Sequence, residues 1–137
     1  MNRSFIDANV VLRFLTGEPP EMANQARLLF EEVDRGERVL ILEEIVIAEI
    51  IWVLASFYKF PSASISRVIQ ELIGHPGLEV EDKPGIWMAL DIYHNQNIDF
   101  VDALVAVRMA QRGVNEIFSF DQDFDRLPGI TRIAPGK

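Results

Sequence analysis

At 137 residues and 49% hydrophobic, the chain is long enough to bury a sizeable core without staples and too apolar for a disordered segment. It has no cysteine, which excludes a disulfide framework and thiolate metal sites and fits a reducing compartment. A net charge of −8 disfavours nonspecific nucleic-acid binding and favours a basic partner or bound cations.

The start, Met1-Asn2-Arg3-Ser4, runs into a strand with no signal-peptide pattern. That apolar, β-branched strand stops at Asp7, and Val10, Val11, Phe14 and Leu15 then recur at helical spacing. Pro20 opens a second helix with Ala26, Leu29, Phe30 and Val33 on one face, ending about Gly36. Val39 to Leu42 reads as a second buried strand, followed by a helix from about Glu43 to Tyr58. Pro61-Ser62-Ala63-Ser64 opens the next helix, which His75-Pro76-Gly77 stops before a short strand at Leu78 to Val80. Pro84 begins a helix with Ile86, Leu90 and Tyr93 inward, and a further helix runs from about Asp99 to Arg112 and ends at Gly113. Glu116 to Phe120 and Ile130 to Ile133 are the last strands. Strands alternate with helices, without repeats or linkers, so the expectation is one α/β domain over 1–137 with a small, mostly parallel sheet between helical layers. The longest apolar run, Ile45 to Ala55, is too short to span a bilayer, which points to a soluble cytoplasmic protein with no membrane partner.

Four acids stand out. In an open parallel sheet ligands bind beyond the carboxyl ends of strands, which is where Asp7 and Asp121 fall. Asp7 or Asn9 also suits a helix N-cap, and Asp121 with Asp123 and Asp125 also suits an ordinary Asp-rich turn. Glu49 is the one ionisable group between Ile45 and Ala55, in a run that implies a helix buried nearly all round. A carboxylate there must pair, protonate, bind metal or reach water. Asp99 and Asp102 open a helix at i,i+3 spacing, on one face, where a cap and a surface charge compete with a site. Ala103 and Ala106 follow, small enough for close helix packing. Crowded carboxylates raise one another's pKa unless a cation joins them, and all-oxygen donors select Mg2+ or Mn2+. Metal-assisted phosphodiester hydrolysis is the chemistry that follows.

On these residues the chain resembles the PIN domain family, and within it the VapC-like ribonuclease toxins of toxin–antitoxin modules. The resemblance covers nearly the whole chain. It rests on Phe5-Ile6-Asp7-Ala8-Asn9-Val10, Ala48-Glu49-Ile50-Ile51-Trp52-Val53-Leu54, Asp99-Phe100-Val101-Asp102-Ala103-Leu104 and Ser119-Phe120-Asp121-Gln122-Asp123-Phe124, in the family's order. It implies a three-layer α/β/α sandwich, with Asp7, Glu49 and Asp102 as the core metal-binding acids and Asp121 as a fourth. Asn9, Asp99, Ser119 and Asp123 match supporting polar positions, and Asp121 and Asp123 could exchange roles. Ser119 stands where the family usually has Thr, so the hydroxyl is kept. The implied activity is Mg2+- or Mn2+-dependent endoribonuclease cleavage leaving a 5′-phosphate and a 3′-hydroxyl. The implied partners are RNA, a cognate antitoxin whose tail covers the site, and a second copy in a homodimer. RNA contact would fall to basic groups such as Arg13, Lys59, Arg108 or Arg112. His75 and His94 read as surface residues, and Trp52 and Trp87 as core or dimer interface.

Two other classes compete. An Asp-dependent phosphatase needs a second Asp where Asn9 stands, and a receiver-like domain needs a late Lys, where the chain offers only the terminal Lys137. A PIN-like module used only for partner binding would be favoured by loss of a core acid, and all are present.

Overall fold

The computed structural model describes residues 2–136; Met1 and Lys137, which figure in the reading of the two ends, lie outside the described residues. The chain divides into two compact units, one ending at Lys83 and the other beginning at Pro84.

The first unit contains β1 (Asn2–Phe5), α1 (Ala8–Thr16), α2 (Pro20–Asp34), β2 (Arg38–Ile41), α3 (Glu44–Ser56), α4 (Ser62–Gly74) and β3 (Leu78–Glu79). The strands form a parallel sheet in the order β1-β2-β3, with Phe5 opposite Ile41 and Leu40 opposite Leu78. Parallel neighbours require crossovers, and the helices supply them. α1 packs on α2 and α3, and α3 packs on α4. Val11, Leu40, Ile47, Ile50, Leu54, Ile65, Ile69 and Ile73 are fully shielded and form the core of this unit.

The expectation that α3 is buried nearly all round is corrected. Ile47, Ile50, Ile51 and Leu54 are buried, but Ile45 is 77% and Trp52 65% exposed, and Glu49 lies between them on the same outward stripe. An apolar run marks a helix as unwelcome in water without saying whether its own fold or another molecule covers it. Trp87 is likewise exposed rather than core.

His75 is not a loose surface residue. Its Nε2 lies 2.9 Å from Asp34 Oδ1, and its Nδ1 accepts from the Gly77 N–H at 2.9 Å. The Gly77 carbonyl accepts from Leu40 N–H at 2.9 Å, tying this loop to β2. A Cβ on Gly77 would run into Val33 Cγ1. Gly77→Ala is therefore expected to destabilise the protein by about 1–3 kcal/mol, the usual cost of forcing a methyl into filled space. Denaturant midpoints for the two proteins measure it, and an unchanged midpoint would show that Val33 yields freely.

The second unit contains α5 (Lys83–Asn95) from its second residue on, α6 (Phe100–Arg112), β4 (Glu116–Phe118), a 3-10 helix (Gln122–Arg126) and β5 (Thr131–Ile133). β4 and β5 pair in parallel from Glu116 opposite Thr131 to Phe118 opposite Ile133, and residues 119–130 make the crossover. Ile86, Leu90, Phe100, Ala103, Leu104 and Val107 are buried, with the Tyr93 ring edge-on to Phe100 at 6.3 Å. Ala103 and Ala106 are both buried, as their small size anticipates. α6 stops at Gly113, whose φ of 69° is left-handed and open to glycine at little cost. The architecture is α/β with every strand pair parallel, in a three-stranded and a two-stranded sheet. Among the described residues no helix is long and apolar enough to cross a membrane.

Candidate functional site

In the first unit, Asp7 follows the carboxyl end of β1 and serves as the N-cap of α1, its Oδ1 accepting from Val10 N–H at 3.1 Å. Cap and site are not exclusive readings here. The cap uses one carboxylate oxygen and fixes the direction of the other, and the residue is exposed. Asn9, in the first turn of α1, is exposed as well. Glu49 sits mid-way along α3, on its exposed stripe, so no burial penalty forces it to find a cation. What the structure leaves at Glu49 is an acid flanked by exposed apolar side chains.

In the second unit, Asp121 repeats the Asp7 pattern. It follows β4 and caps the 3-10 helix, its Oδ1 accepting from Asp123 N–H at 2.9 Å. Its own N–H donates to Ser119 Oγ at 2.9 Å, so the hydroxyl expected near the site does hold the turn. Asp99 stands at the N-cap of α6 but makes no side-chain cap bond. Its charge instead reaches Tyr93, whose hydroxyl is pushed above its ordinary value by burial and then by Asp99.

Asp102 is the most perturbed acid. Its pKa is raised from 3.8 to about 6. Burial is the largest cause, followed by the charges of Asp99 and Asp121, a hydrogen bond with Asp121, and the charge of Asp123. A carboxyl that holds its proton toward neutrality because other carboxylates surround it is relieved by a cation. Perturbation by desolvation plus named charge partners also marks candidate functional groups. The second unit therefore brings together Asp99, Asp102, Asp121 and Asp123, four of the residues singled out from sequence.

Asp121 and Asp123 are no longer equivalent. Asp123 is taken by Arg126 in an ion pair, whereas Asp121 turns to Asp102. Asp125 is taken by Arg132, which grips it with two hydrogen bonds of 3.0 and 3.1 Å. Sequence reasoning passed over both arginines. The available signal was a cation inside the short strand Thr131-Arg132-Ile133, just after three alternating aspartates.

Among the described residues no group of three or more His, Asp or Glu side chains stands at metal-holding spacing. The donor set nonetheless fits a hard cation: it is all oxygen, and the pKa of Asp102 is raised by burial and then by the charges of the neighbouring acids.

Comparison with known proteins agrees with this chemistry. A VapC ribonuclease of Aquifex aeolicus is 30% identical over 130 residues, 95% of each chain. VapC ribonuclease Mb1869c of Mycobacterium bovis and Ribonuclease VapC13 of Mycobacterium tuberculosis are each 25% identical over 133 residues, covering 94% of this chain and 98% of theirs. The PIN domain description matches residues 4–130, a span that takes in every acid named above. The α/β architecture with a small parallel sheet and six helices is that of the three-layer α/β/α PIN fold, and the chain belongs to the PIN domain family.

Proposed function

We propose that this protein is a metal-dependent endoribonuclease, the toxin of a toxin–antitoxin pair, working as one PIN-like domain. The observation that carries the reading is Asp102, its pKa raised to about 6 by burial and then by the charges of Asp99 and Asp121, in a chain that aligns with a VapC ribonuclease over 95% of its length. Asp7, Glu49 and Asp102 are the ligands of a Mg2+ or Mn2+ ion, and Asp121 supports it or a second ion. Asn9, Asp99, Ser119 and Asp123 orient these groups.

A bound divalent ion supplies a water of lowered pKa and a polarised phosphate. The chain's own contribution is geometric and electrostatic. Asp7 and Asp121 are fixed as caps, so each offers its carboxylate in one direction without reorganisation. Asp102 must give up its proton before it can serve as a ligand, so proton and cation compete for it. No histidine is required.

The cellular setting follows the same reading: a cytoplasmic protein with no membrane partner, held inactive by a cognate antitoxin and acting as a homodimer. The exposed Ile45 and Trp52 on α3 suit contact with another protein surface, since contiguous exposed apolar groups mark such sites. Most arginines are occupied in ion pairs, among them Arg3–Glu79, Arg27–Glu31, Arg35–Glu37 and Arg38–Glu32. An ion in the acid cluster would add a cation for holding RNA phosphate.

The test is to incubate the purified protein, freed of any antitoxin, with a panel of structured and unstructured RNAs and matched DNAs in Mg2+ or Mn2+. Cleavage of RNA leaving 5′-phosphate ends is expected. Tight capture of a partner protein with no cleavage of any RNA would instead favour the non-catalytic interaction module.

A further inference from the structure

Three aspartates alternate through the crossover that follows β4, at 121, 123 and 125. Two are claimed by arginines of the same unit. Arg126 pairs with Asp123 and donates through Nη1 to the Gln96 carbonyl at 3.1 Å, tying the 3-10 helix to the loop that leads into Asp99 and α6. Arg132, on β5, forks onto Asp125 through Nε and Nη2 and donates through Nη1 to the Ser119 carbonyl at 3.0 Å. Its side chain is 17% exposed, against 53% for Asp125, so the guanidinium is the enclosed partner.

A bonded path runs from this guanidinium to the acid cluster. Arg132 holds the Ser119 carbonyl, Ser119 Oγ holds the Asp121 N–H, and the Asp121 carboxylate lies close enough to Asp102 to raise its pKa. The last rung of the ladder, Ser119 N–H to the Ile133 carbonyl at 3.1 Å, anchors the same residue from its other side.

We infer that Arg132, with Arg126 in support, is a positioning residue: by occupying Asp125 and Asp123 and gripping the Ser119 carbonyl, the two arginines select Asp121 as the acid presented beside Asp102. This rests on the proposed reading of Asp121 as a metal acid. The fork matters because only a planar guanidinium can bind both oxygens of Asp125 and still donate to a carbonyl. Sequence position alone leaves Asp121 and Asp123 interchangeable, and the arginines end that degeneracy.

Electrostatics and positioning predict opposite signs. Arg132 lies close enough to Asp121 to feel its charge. If Arg132 acted only as a cation, removing it would tighten binding of a metal ion to the acids. If it positions Asp121, removing it weakens that binding, by about 10–100-fold, the usual effect of losing a group that orients a ligand.

The experiment titrates Mn2+ alone, without RNA, into the full-length protein and its Arg132→Met, Arg132→Lys, Asp125→Asn and Asp121→Asn variants, following free Mn2+ by electron paramagnetic resonance and recording a melting curve for each. Arg132→Met is expected to weaken Mn2+ binding, and Arg132→Lys to recover only part of it. Arg132→Met combined with Asp121→Asn should bind no more weakly than Asp121→Asn alone, because both changes act through one carboxylate. Should Arg132→Met fail to fold, Arg132→Lys and Asp125→Asn carry the test through smaller losses of the same sign. Weakened binding in Asp121→Asn with unchanged or tighter binding in Arg132→Met overturns the positioning role alone. Unchanged binding in Asp121→Asn overturns the reading of Asp121 as a metal acid, and the inference with it. Losses that simply add in the double variant also overturn it.

Discussion

Asp102→Asn is expected to lose cleavage and gain stability. In Mg2+ or Mn2+, replacing this carboxylate should cut RNA cleavage by about 10^3-fold, on the order of 4 kcal/mol of transition-state stabilisation, because an amide neither carries the charge nor anchors the ion as well. In metal-free buffer the same variant should be the more stable protein above neutrality. The sign follows from the direction of the shift. In the folded chain Asp102 binds its proton up to about pH 6, against an ordinary value of 3.8. Between those values the folded state holds more protons than the unfolded one, so stability falls as pH rises, and above pH 6 the full penalty of the ionised acid is present. A shift of this size in a fully enclosed group would represent about 3 kcal/mol, and the partial exposure of Asp102 reduces the expected gain to about 1 kcal/mol. Melting curves of both proteins at pH 8 and pH 4 in chelator test it: the variant should lead at pH 8 and the curves should converge at pH 4. A variant less stable than the parent at both values would mean that Asp102 is a structural carboxylate, bonded for the sake of the fold.

Glu49→Gln separates activity from folding more sharply. Because Glu49 is exposed on α3, its replacement should move stability by no more than about 0.5 kcal/mol, as for other surface changes. Cleavage should nevertheless fall by about 10^2–10^3-fold, the usual effect of removing one element of transition-state charge stabilisation. Parallel melts and initial rates on one preparation decide it, and full activity in the variant would remove Glu49 from the mechanism.

The two variants also show what the sequence makes legible. Hydrophobic period and strand-breaking residues located the α-helices and strands of the described residues to within a few residues, because burying a face is what those patterns encode, whereas the 3-10 helix Gln122–Arg126 read only as an Asp-rich turn. Asp7 and Asp121 were identifiable because an acid at the carboxyl end of a parallel strand has a defined place in the fold. The surroundings of Glu49 were not, since apolar neighbours look the same whether they pack inward, like Ile50, or stay exposed, like Ile45 and Trp52. The distinction between Asp121 and Asp123 was also out of reach. It depends on which carboxylates Arg126 and Arg132 occupy, and such pairing is set by side-chain direction rather than by spacing. His75 shows the same limit: its place beside Pro76-Gly77 at a helix end hid two hydrogen bonds that brace the turn at Gly77.

The central claim is that this all-carboxylate cluster works through a divalent ion. The most direct measurement strips the purified protein with chelator and then follows the rate of RNA cleavage as Mg2+ or Mn2+ is added back. The account predicts no cleavage in chelator, full recovery with either ion, and no recovery for Asp102→Asn at the same concentrations. Undiminished cleavage in chelator, by wild type and by Asp102→Asn alike, would contradict it.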